Sequence, residues 1–420
     1  NNDSSGGIAV KAAKYWVDVS GKDKTFTATD TISATLENTS TGKITVKGTN
    51  SFGIYSEEIN GTNHGAINIE GSKDYSIALR ANKTGTVIPT LTNNGTVSIS
   101  STGKENIGFY TKNAKVVNNA GKTVSITAGQ NIGMAVYGTS KTDYGEGTNA
   151  GTITANSAGS IGVITSNYGK VTNTGTIDVD QKDSVGIFSK NASTQDKTKS
   201  NAVNSKIITV KKEGSAGMLG EKSTLKNTPT VANEGIILSA IKTAGMIGNA
   251  KSEVINSGNI ETKTATPTAA AEGLVGISLD DSTGVNETTG KITLGTDFST
   301  GMYGKNSSTL TNKGNITGNN KNAVGMAADN SVAVNEILGT ITLNKKESTG
   351  IFGKTSQELR NKGNIIGNDE KAVGIAGESS KIYNDSGVSI TLKGKTSTGI
   401  FGKVNSTVTN AGKIETTTAT

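Results

Sequence analysis

The chain has few residues of the kinds that carry out acid–base or nucleophilic chemistry. It contains one histidine, His64, and no cysteine, so a Ser-His-Asp triad would have to use His64 and a cysteine nucleophile is excluded. His64 stands between Asn63 and Gly65, a context typical of a turn. Residues 384–387 (Asn-Asp-Ser-Gly) superficially resemble a serine-protease nucleophile segment. At the equivalent position, however, other repeats have an Asn-x-Gly corner. We therefore expect both features to be structural.

Carboxylate pairs are the other catalytic candidates, because glycosidases place two of them across the scissile bond. The adjacent pairs are Glu57 with Glu58 and Asp280 with Asp281. Neighbouring residues of a strand point to opposite faces, so neither pair converges within one strand. The sequence also lacks a phosphate-binding loop, a histidine cluster and a calcium-binding glycine repeat. We expect no enzymatic activity and no catalytic, cofactor or metal site, with a glycan-active β-helical enzyme kept as an alternative.

Charge and hydropathy exclude further classes of function. The formal net charge is +7, and the lysines are scattered along the whole chain. A nucleic-acid-binding protein concentrates its positive charge on one face or in one segment, so we expect no nucleic-acid partner. The sequence has no apolar run of about 18 residues, the length that a membrane-spanning helix needs. We expect no membrane insertion of this segment.

The strongest signal is an internal repeat. Of the 420 residues, 61 are Thr, 54 are Gly and 43 are Asn, a composition that disfavours helices. A four-residue motif recurs with a base period of 24–25 residues. It consists of a small residue, then an apolar residue or Thr, then Gly, and finally a hydrophobic residue. Ser76, in Tyr-Ser-Ile-Ala, is taken to replace the glycine in one repeat. A second motif, Asn-x-Gly followed by alternating β-branched residues, lies at a fixed offset. The glycines of the first motif are Gly53, Gly108, Gly133, Gly162, Gly186, Gly217, Gly245, Gly276, Gly301, Gly325, Gly350, Gly374 and Gly399.

A unit of this length and composition predicts an all-β, right-handed parallel β-helix of about 17 coils with loop insertions. Short strands stack at ~4.8 Å, with glycine and asparagine at the corners. The right hand follows from the crossover preference of parallel strands. Asparagines at equivalent positions are expected to form a side-chain ladder. We assign residues 1–45 to an N-terminal capping or irregular β region that includes Trp16, and residues 46–420 to the repeats, and we expect the native chain to continue beyond Thr420.

Two candidate binding surfaces follow from this repeat. If Ile351 points inward, strand alternation places Thr349 and Gly353 inward too, and Gly350 and Phe352 outward. Smaller residues such as Ala78, Ala135, Ala327 and Ala376 are expected at the equivalent position of other coils. The insertions at 137–148, 191–200 and 262–272 predict surface loops, and the first of them offers Tyr137, Lys141, Asp143 and Tyr144. The same register places an aromatic stripe outward, consisting of Tyr55, Tyr110, Phe188, Tyr303, Phe352 and Phe401, with Leu219 and Ile247 between them.

The repeated Asn-x-Gly-x-Ile and Thr-Gly-Ile-Phe-Gly-Lys segments resemble the passenger regions of large Gram-negative autotransporter adhesins. They are most similar to fusobacterial outer-membrane adhesins of the RadD type, over roughly residues 45–420. The resemblance implies a cell-surface passenger on the outer membrane, exported through its own C-terminal translocator barrel, that attaches to a protein or glycan receptor on other bacteria or host cells. A chain without cysteine suits such export, because periplasmic disulfides would hinder threading. A purely structural spacer is the alternative.

Overall fold

A computed structural model describes residues 8–12, 16–17, 23–24, 36–192, 200–229, 231, 233–263 and 273–417. The described chain is a right-handed parallel β-helix of about 15 turns, which confirms the predicted fold class. The predicted 17 coils are too many, because several turns hold about 30 residues: Asn63 and Asn93 occupy equivalent places and lie 30 residues apart. The chain divides into two compact units, residues 1–188 with 199–201, and residues 189–198 with 202–420.

Each turn contributes three strands, and within each unit equivalent strands of successive turns pair in parallel to form sheets 1, 2 and 3. The first strand of a turn, in sheet 1, usually has six residues. The strands of sheet 1 are Ile8–Ala12, Phe52–Glu57, Ile77–Asn82, Ile107–Lys112, Ile132–Tyr137, Ile161–Ser166, Val185–Lys190, Ala216–Glu221, Ala244–Asn249, Val275–Asp280, Thr300–Lys305, Val324–Asp329, Thr349–Lys354, Val373–Glu378 and Thr398–Lys403.

The second and third strands of a turn have three to five residues. Those of sheet 2 are Leu36–Asn38, Gly61–Asn63, Thr90–Asn93, Lys115–Asn118, Gly145–Asn149, Gly169–Asn173, Asn201–Asn204, Thr224–Asn227, Glu253–Asn256, Thr283–Asn286, Thr309–Asn312, Val332–Asn335, Glu358–Asn361, Lys381–Asn384 and Thr407–Asn410. Those of sheet 3 are Lys43–Val46, Ala66–Ile69, Thr96–Ile99, Thr123–Ile126, Thr152–Ala155, Thr176–Val179, Ile207–Val210, Gly235–Leu238, Asn259–Thr262, Lys291–Leu294, Asn315–Gly318, Thr340–Leu343, Asn364–Gly367, Ser389–Leu392 and Lys413–Thr416. A separate antiparallel pair joins Trp16–Val17 to Asp23–Lys24.

The core of each unit is a column of aliphatic side chains to which all three sheets contribute. In one turn of the second unit, Ile351, Leu359 and Ile365 come from sheets 1, 2 and 3 and are fully buried. The strands alternate between buried and partly exposed residues, so Thr, Asn and Lys occupy the outside without weakening the interior. This alternation explains how a chain with only 32% hydrophobic residues has a continuous core.

Sheet 1 departs from simple alternation at the second residue of its strands. Ile351 is inward and Phe352 outward, as predicted, but Gly350 also faces the interior and Thr349 is only partly buried. A Cβ at position 350 would lie 2.7 Å from Cγ2 of Ile365. The predicted outward Gly350 and inward Thr349 are therefore wrong, because two consecutive inward residues, Gly350 and Ile351, interrupt the alternation.

One repeat aligns differently from the sequence prediction. Phe52 pairs with Ile77 and Tyr55 with Arg80, so the counterpart of Tyr55 is Arg80 rather than Ala78. Ala78, which is fully buried, occupies the inward place that glycine holds in other turns. The predicted substitution of that glycine by Ser76 is wrong, because the strand register places Ala78, two residues later, opposite Gly53.

The corner between sheets 2 and 3 is closed by a buried ladder of asparagines, as the sequence predicted. Each Nδ2 donates a hydrogen bond to Oδ1 of the asparagine in the next turn, over distances of 2.7–2.9 Å, and the other N–H is directed at backbone carbonyls of the corner. The ladder of the first unit comprises Asn38, Asn63, Asn93, Asn118, Asn149 and Asn173. The ladder of the second unit comprises Asn204, Asn227, Asn256, Asn286, Asn312, Asn335, Asn361, Asn384 and Asn410.

The glycine of the Asn-x-Gly corner is needed for space, not for a left-handed backbone. A Cβ on Gly363 would lie 2.2 Å from the carbonyl oxygen of Gly339 in the preceding turn. Left-handed glycines occur in two longer versions of this corner, at Gly121 (φ 73°) and Gly387 (φ 78°). At the two ends of the sheet 1 strands, non-glycine residues such as Glu347 (φ 61°) and Asn330 (φ 47°) adopt the left-handed conformation. The prediction that glycine and asparagine supply these conformations is therefore only partly correct.

Candidate functional site

The outer face of sheet 1 in the first unit carries a cluster of aromatic rings around Arg80. The Arg80 guanidinium carbon lies 4.7 Å from the ring centre of Phe52, 5.1 Å from that of Tyr55 and 5.3 Å from that of Tyr110. Strand pairing causes this arrangement, because Tyr55, Arg80 and Tyr110 are consecutive partners across three strands. The two predicted tyrosines are therefore connected through a cation that stacks between them.

Tyr55 is only 9% exposed, although it lies on the outer face. Its hydroxyl donates a hydrogen bond to the Glu57 carboxylate and accepts one from Asn82 Nδ2 at 3.2 Å. Burial, together with the Glu57 carboxylate, raises the pKa of Tyr55 to about 12. Burial also raises the pKa of Tyr110. These phenols stay neutral at physiological pH, and Tyr55 is largely covered by its own neighbours.

The predicted loop 137–148 is shorter than expected, because Tyr137 ends the strand Ile132–Tyr137 and residues 145–148 belong to the strand Gly145–Asn149. The segment between these strands folds back onto the same region. The Tyr137 ring lies 5.5 Å from that of Tyr110, which extends the aromatic cluster by one turn. Asp143 pairs with Lys83, and this hydrogen bond lowers the pKa of the Asp143 carboxyl. Lys170 Nζ lies 4.0 Å from the ring centre of Tyr144.

The predicted stripe and loop therefore meet in the first unit. Phe52 and Arg80 complete the cluster and were missed by the sequence interpretation. Arg80 is one of only two arginines in the chain, which is the signal that could have identified it. Lys141, also predicted, lies at the exposed tip of the loop.

In the second unit the stripe is more exposed and is interrupted by small residues. Phe352 is 41% exposed, and Phe401 lies at the equivalent position of the last described turn, where every residue of the strand is exposed or half-buried. Tyr303 is half-buried, and that burial raises the pKa of its hydroxyl. Ala327 and Ala376 occupy the intervening turns, as predicted. Phe188, Leu219 and Ile247 are half-buried on the corresponding positions of their strands.

The catalytic candidates prove to be parts of corners. His64 follows the strand Gly61–Asn63, and its Nε2 lies 3.7 Å from a carboxylate oxygen of Glu37 at the surface. In the 384–387 segment, Asn384 belongs to the ladder and Asp385 pairs with Arg360 at 3.1 Å. The turn interpretation of both segments is therefore confirmed.

The adjacent carboxylates diverge. The Glu57 carboxylate accepts a hydrogen bond from the Tyr55 hydroxyl, whereas Glu58, the next residue, is buried. Asp280 pairs with Lys305 at 3.1 Å, and Asp281 pairs with Lys251 at 3.1 Å.

Within the described ranges, no three His, Asp or Glu side chains lie close enough together to hold a metal ion. The same part of the chain contains no helix that is long and apolar enough to span a membrane. Of the other predicted loops, residues 193–199 and 264–272 lie outside the described residues.

The family described as the BigA third pectate lyase-like domain matches the chain three times, over residues 1–139, 126–240 and 230–356. Together these matches cover well over half of the 420 residues. No curated protein and no solved structure matches the chain. The family description agrees with the β-helix described above, whereas nothing in it supports the RadD type specifically.

Proposed function

Because the chain belongs to the family of BigA third pectate lyase-like domains, we propose that it is a β-helical adhesin segment on a bacterial surface. It attaches its cell to other bacteria or to host cells, through a protein or glycan receptor. It is displayed on the outer membrane as the passenger of an autotransporter. The absence of cysteine supports this route, because a chain without disulfides crosses a pore more readily.

The observation that carries the proposal is the exposure of large aromatic rings on one face. Phe352 is 41% exposed between the small residues Ala327 and Ala376, and Phe401 lies at the equivalent position two turns further on. Exposed aromatic groups in a row mark interaction surfaces, since their faces stack on sugar rings or apolar side chains. The outer face of sheet 1 is the binding surface in this proposal.

The test is binding of the purified 420-residue chain to bacteria and host cells that do not make it, with glycan competitors. Phe352→Ala should weaken binding about tenfold if the ring is a principal contact. Tyr383→Ala is the matched control, because Tyr383 lies outward on sheet 2 and its ring is covered by Arg360 at 4.4 Å. Saturable binding that only Phe352→Ala weakens supports the proposal. No binding by the folded chain contradicts it and favours a spacer that presents another domain.

The proposal assigns no catalytic step to this chain. The divergence of Glu57 from Glu58, and of Asp280 from Asp281, supports this view, because glycoside hydrolysis requires two carboxyl groups directed at one bond. A screen of bacterial and host glycans for cleavage products tests it. Cleavage by the wild-type chain would replace adhesion by catalysis as the function.

A further inference from the structure

From the strand Val275–Asp280 to the strand Thr398–Lys403, the outer face of sheet 1 repeats every two turns in both size and charge. In each strand the fourth residue and the sixth residue point outward. An aromatic residue is always accompanied by lysine, and a small residue by a carboxylate. The six consecutive rows are Ser278 with Asp280, Tyr303 with Lys305, Ala327 with Asp329, Phe352 with Lys354, Ala376 with Glu378, and Phe401 with Lys403.

The first residues of these strands follow the same two-turn period. They alternate between valine and threonine, which have the same shape, and are mostly half-buried. They are Val275, Thr300, Val324, Thr349, Val373 and Thr398.

Such a face is complementary to itself when one copy is turned over. A two-fold axis along the strand direction, midway between the rows of Ala327 and Phe352, reverses the order of the six rows. Every aromatic row then faces a small-residue row, and every lysine faces a carboxylate. Ala327 meets Phe352 of the second copy, Tyr303 meets Ala376, and the Phe401 row meets the Ser278 row. A two-fold axis along the helix would instead place each aromatic row against itself.

The two central charges differ from the outer ones in forming no ion pair among the described residues, although Asp329 accepts a long hydrogen bond from the Thr355 hydroxyl at 3.5 Å. Lys305 pairs with Asp280, and Lys403 lies 3.9 Å from Glu378. Among the residues that the structure describes, neither Asp329 nor Lys354 forms an ion pair. These two residues belong to the rows beside the axis, where a second copy would supply the opposite charge to each.

We propose that two copies of this chain pair in antiparallel orientation through the outer face of sheet 1, with Asp329 of each copy opposite Lys354 of the other. The face spans six strands and six residues, or roughly 550 Å² per copy at ~4.8 Å between strands and ~3.3 Å per residue. Two such faces bury about 1,000 Å², the lower range of specific interfaces. The pair is therefore a weak one that dissociates in salt, because charge complementarity contributes to it.

This pairing deepens the proposed function and rests on it for its biological meaning. Antiparallel copies suit molecules that project from two facing cells, so a second copy of the chain is a further protein receptor for this surface, besides the receptor on cells that lack the chain. The pairing itself is a property of the purified chain, and it can be tested without any cell.

Sedimentation equilibrium of the 420-residue chain over a concentration series tests the pairing. The wild type should dimerise, and Asp329→Lys should weaken dimerisation about tenfold or more, because two Lys–Lys contacts arise by symmetry. Lys354→Asp should do the same through two carboxylate contacts. Lys381→Asp is the matched control, since it makes the same charge change on the outer face of sheet 2 and should leave dimerisation unchanged.

Mixing the two single variants is the decisive measurement. Asp329→Lys and Lys354→Asp chains should form a mixed dimer of nearly wild-type affinity, because both contacts again join opposite charges. A folding defect cannot produce this rescue. A monomeric wild type, an unchanged Asp329→Lys variant or a mixture without rescue would each overturn the proposal.

Zero-length amine–carboxyl cross-linking tests the orientation. Lys403 and Asp280 lie five turns apart in one chain, about 24 Å at the strand spacing, so a bond between them requires an antiparallel second copy. Links between Lys403 and Asp280, and between Lys305 and Glu378, are expected in the dimer band. Their absence from a cross-linked dimer would refute the antiparallel arrangement. Binding to cells that lack the chain is measured for wild type and Asp329→Lys. Equal binding by both would show that adhesion uses another partner, so the proposed function would stand even if the pairing failed.

Discussion

Removing one asparagine from the buried ladder should destabilise the surrounding turns strongly. Asn335 is fully buried. Its Oδ1 accepts from Asn312 at 2.8 Å, and its Nδ2 donates to Asn361 at 2.9 Å and to the Gly339 carbonyl at 3.2 Å. Asn335→Ala removes these three hydrogen bonds, each of which contributes about 1 kcal/mol net. It leaves Asn361 Oδ1 with only the longer hydrogen bond from the Gly363 N–H, at 3.3 Å. We expect a loss of about 3–5 kcal/mol.

The chain offers a matched control in a second, exposed asparagine ladder. Asn344 donates to Asn319 at 2.8 Å and accepts from Asn368 at 2.8 Å, and both bonds lie at the surface. Water replaces them when Asn344 is truncated, so Asn344→Ala should cost less than about 1 kcal/mol. The two variants remove the same side chain and the same kind of bond, and they differ in burial.

The assay is native-state hydrogen exchange, supported by urea unfolding. Solenoid stability is a sum of interfaces between neighbouring turns, so the loss should concentrate in Val332–Asn335 and Glu358–Asn361. Protection of these strands should fall in Asn335→Ala and remain in Asn344→Ala. Equal, small losses in both variants would refute the argument, because they would mean that water or backbone movement replaces the buried hydrogen bonds.

Three further predictions concern sheet 1. Gly350→Ala should lower the free energy of unfolding by about 1–3 kcal/mol, because its Cβ would lie 2.5 Å from a carbonyl oxygen and 2.7 Å from Ile365 Cγ2. Urea unfolding measures this change, with the outward variant Thr349→Ala as the control. A Gly350→Ala chain as stable as the wild type would contradict the prediction. Ile351→Asp buries a carboxylate in the core and should cost several kcal/mol, at least ~3; circular dichroism and melting that match wild type would place Ile351 outside the core. The pKa of Tyr55, about 12 when folded, exceeds the ordinary value of about 10, so its stabilising contribution is complete below pH ~10 and is lost as the pH rises through 12. Unfolding free energy should therefore fall with alkaline pH more steeply in wild type than in Tyr55→Phe, and identical pH profiles would refute the assignment.

The sequence predicted much of the candidate surface because alternation is a property of a single strand. Once Ile351 was placed inward, Phe352 and its equivalents had to lie outward, and the structure confirms that orientation. The exposure of these rings was not predictable in the same way. Tyr55 is covered because its neighbours across the sheet are large, whereas Phe352 lies between Ala327 and Ala376 and stays open.

The errors arose where contacts between turns override the local pattern. Gly350 faces inward, and the adjacent Ile365 leaves no room for a side chain larger than hydrogen at that position. The sequence does not record that distance. Ser76 was mistaken for the missing glycine because small residues look alike without the strand register that places Ala78 there.

The sequence by itself determined the repeat, the parallel β-helix, the inward aliphatic positions and the asparagine ladder, since all of these follow from a period that recurs along the chain. Tertiary structure decided which side chains meet across turns. It stacked Arg80 among three aromatic rings and placed the Tyr137 ring against that of Tyr110. It also aligned Lys354 and Asp329 in adjacent rows without closing an ion pair between them. These contacts depend on strand register and on distances between turns, and residues 25–30 positions apart in the chain become neighbours only when the turns stack.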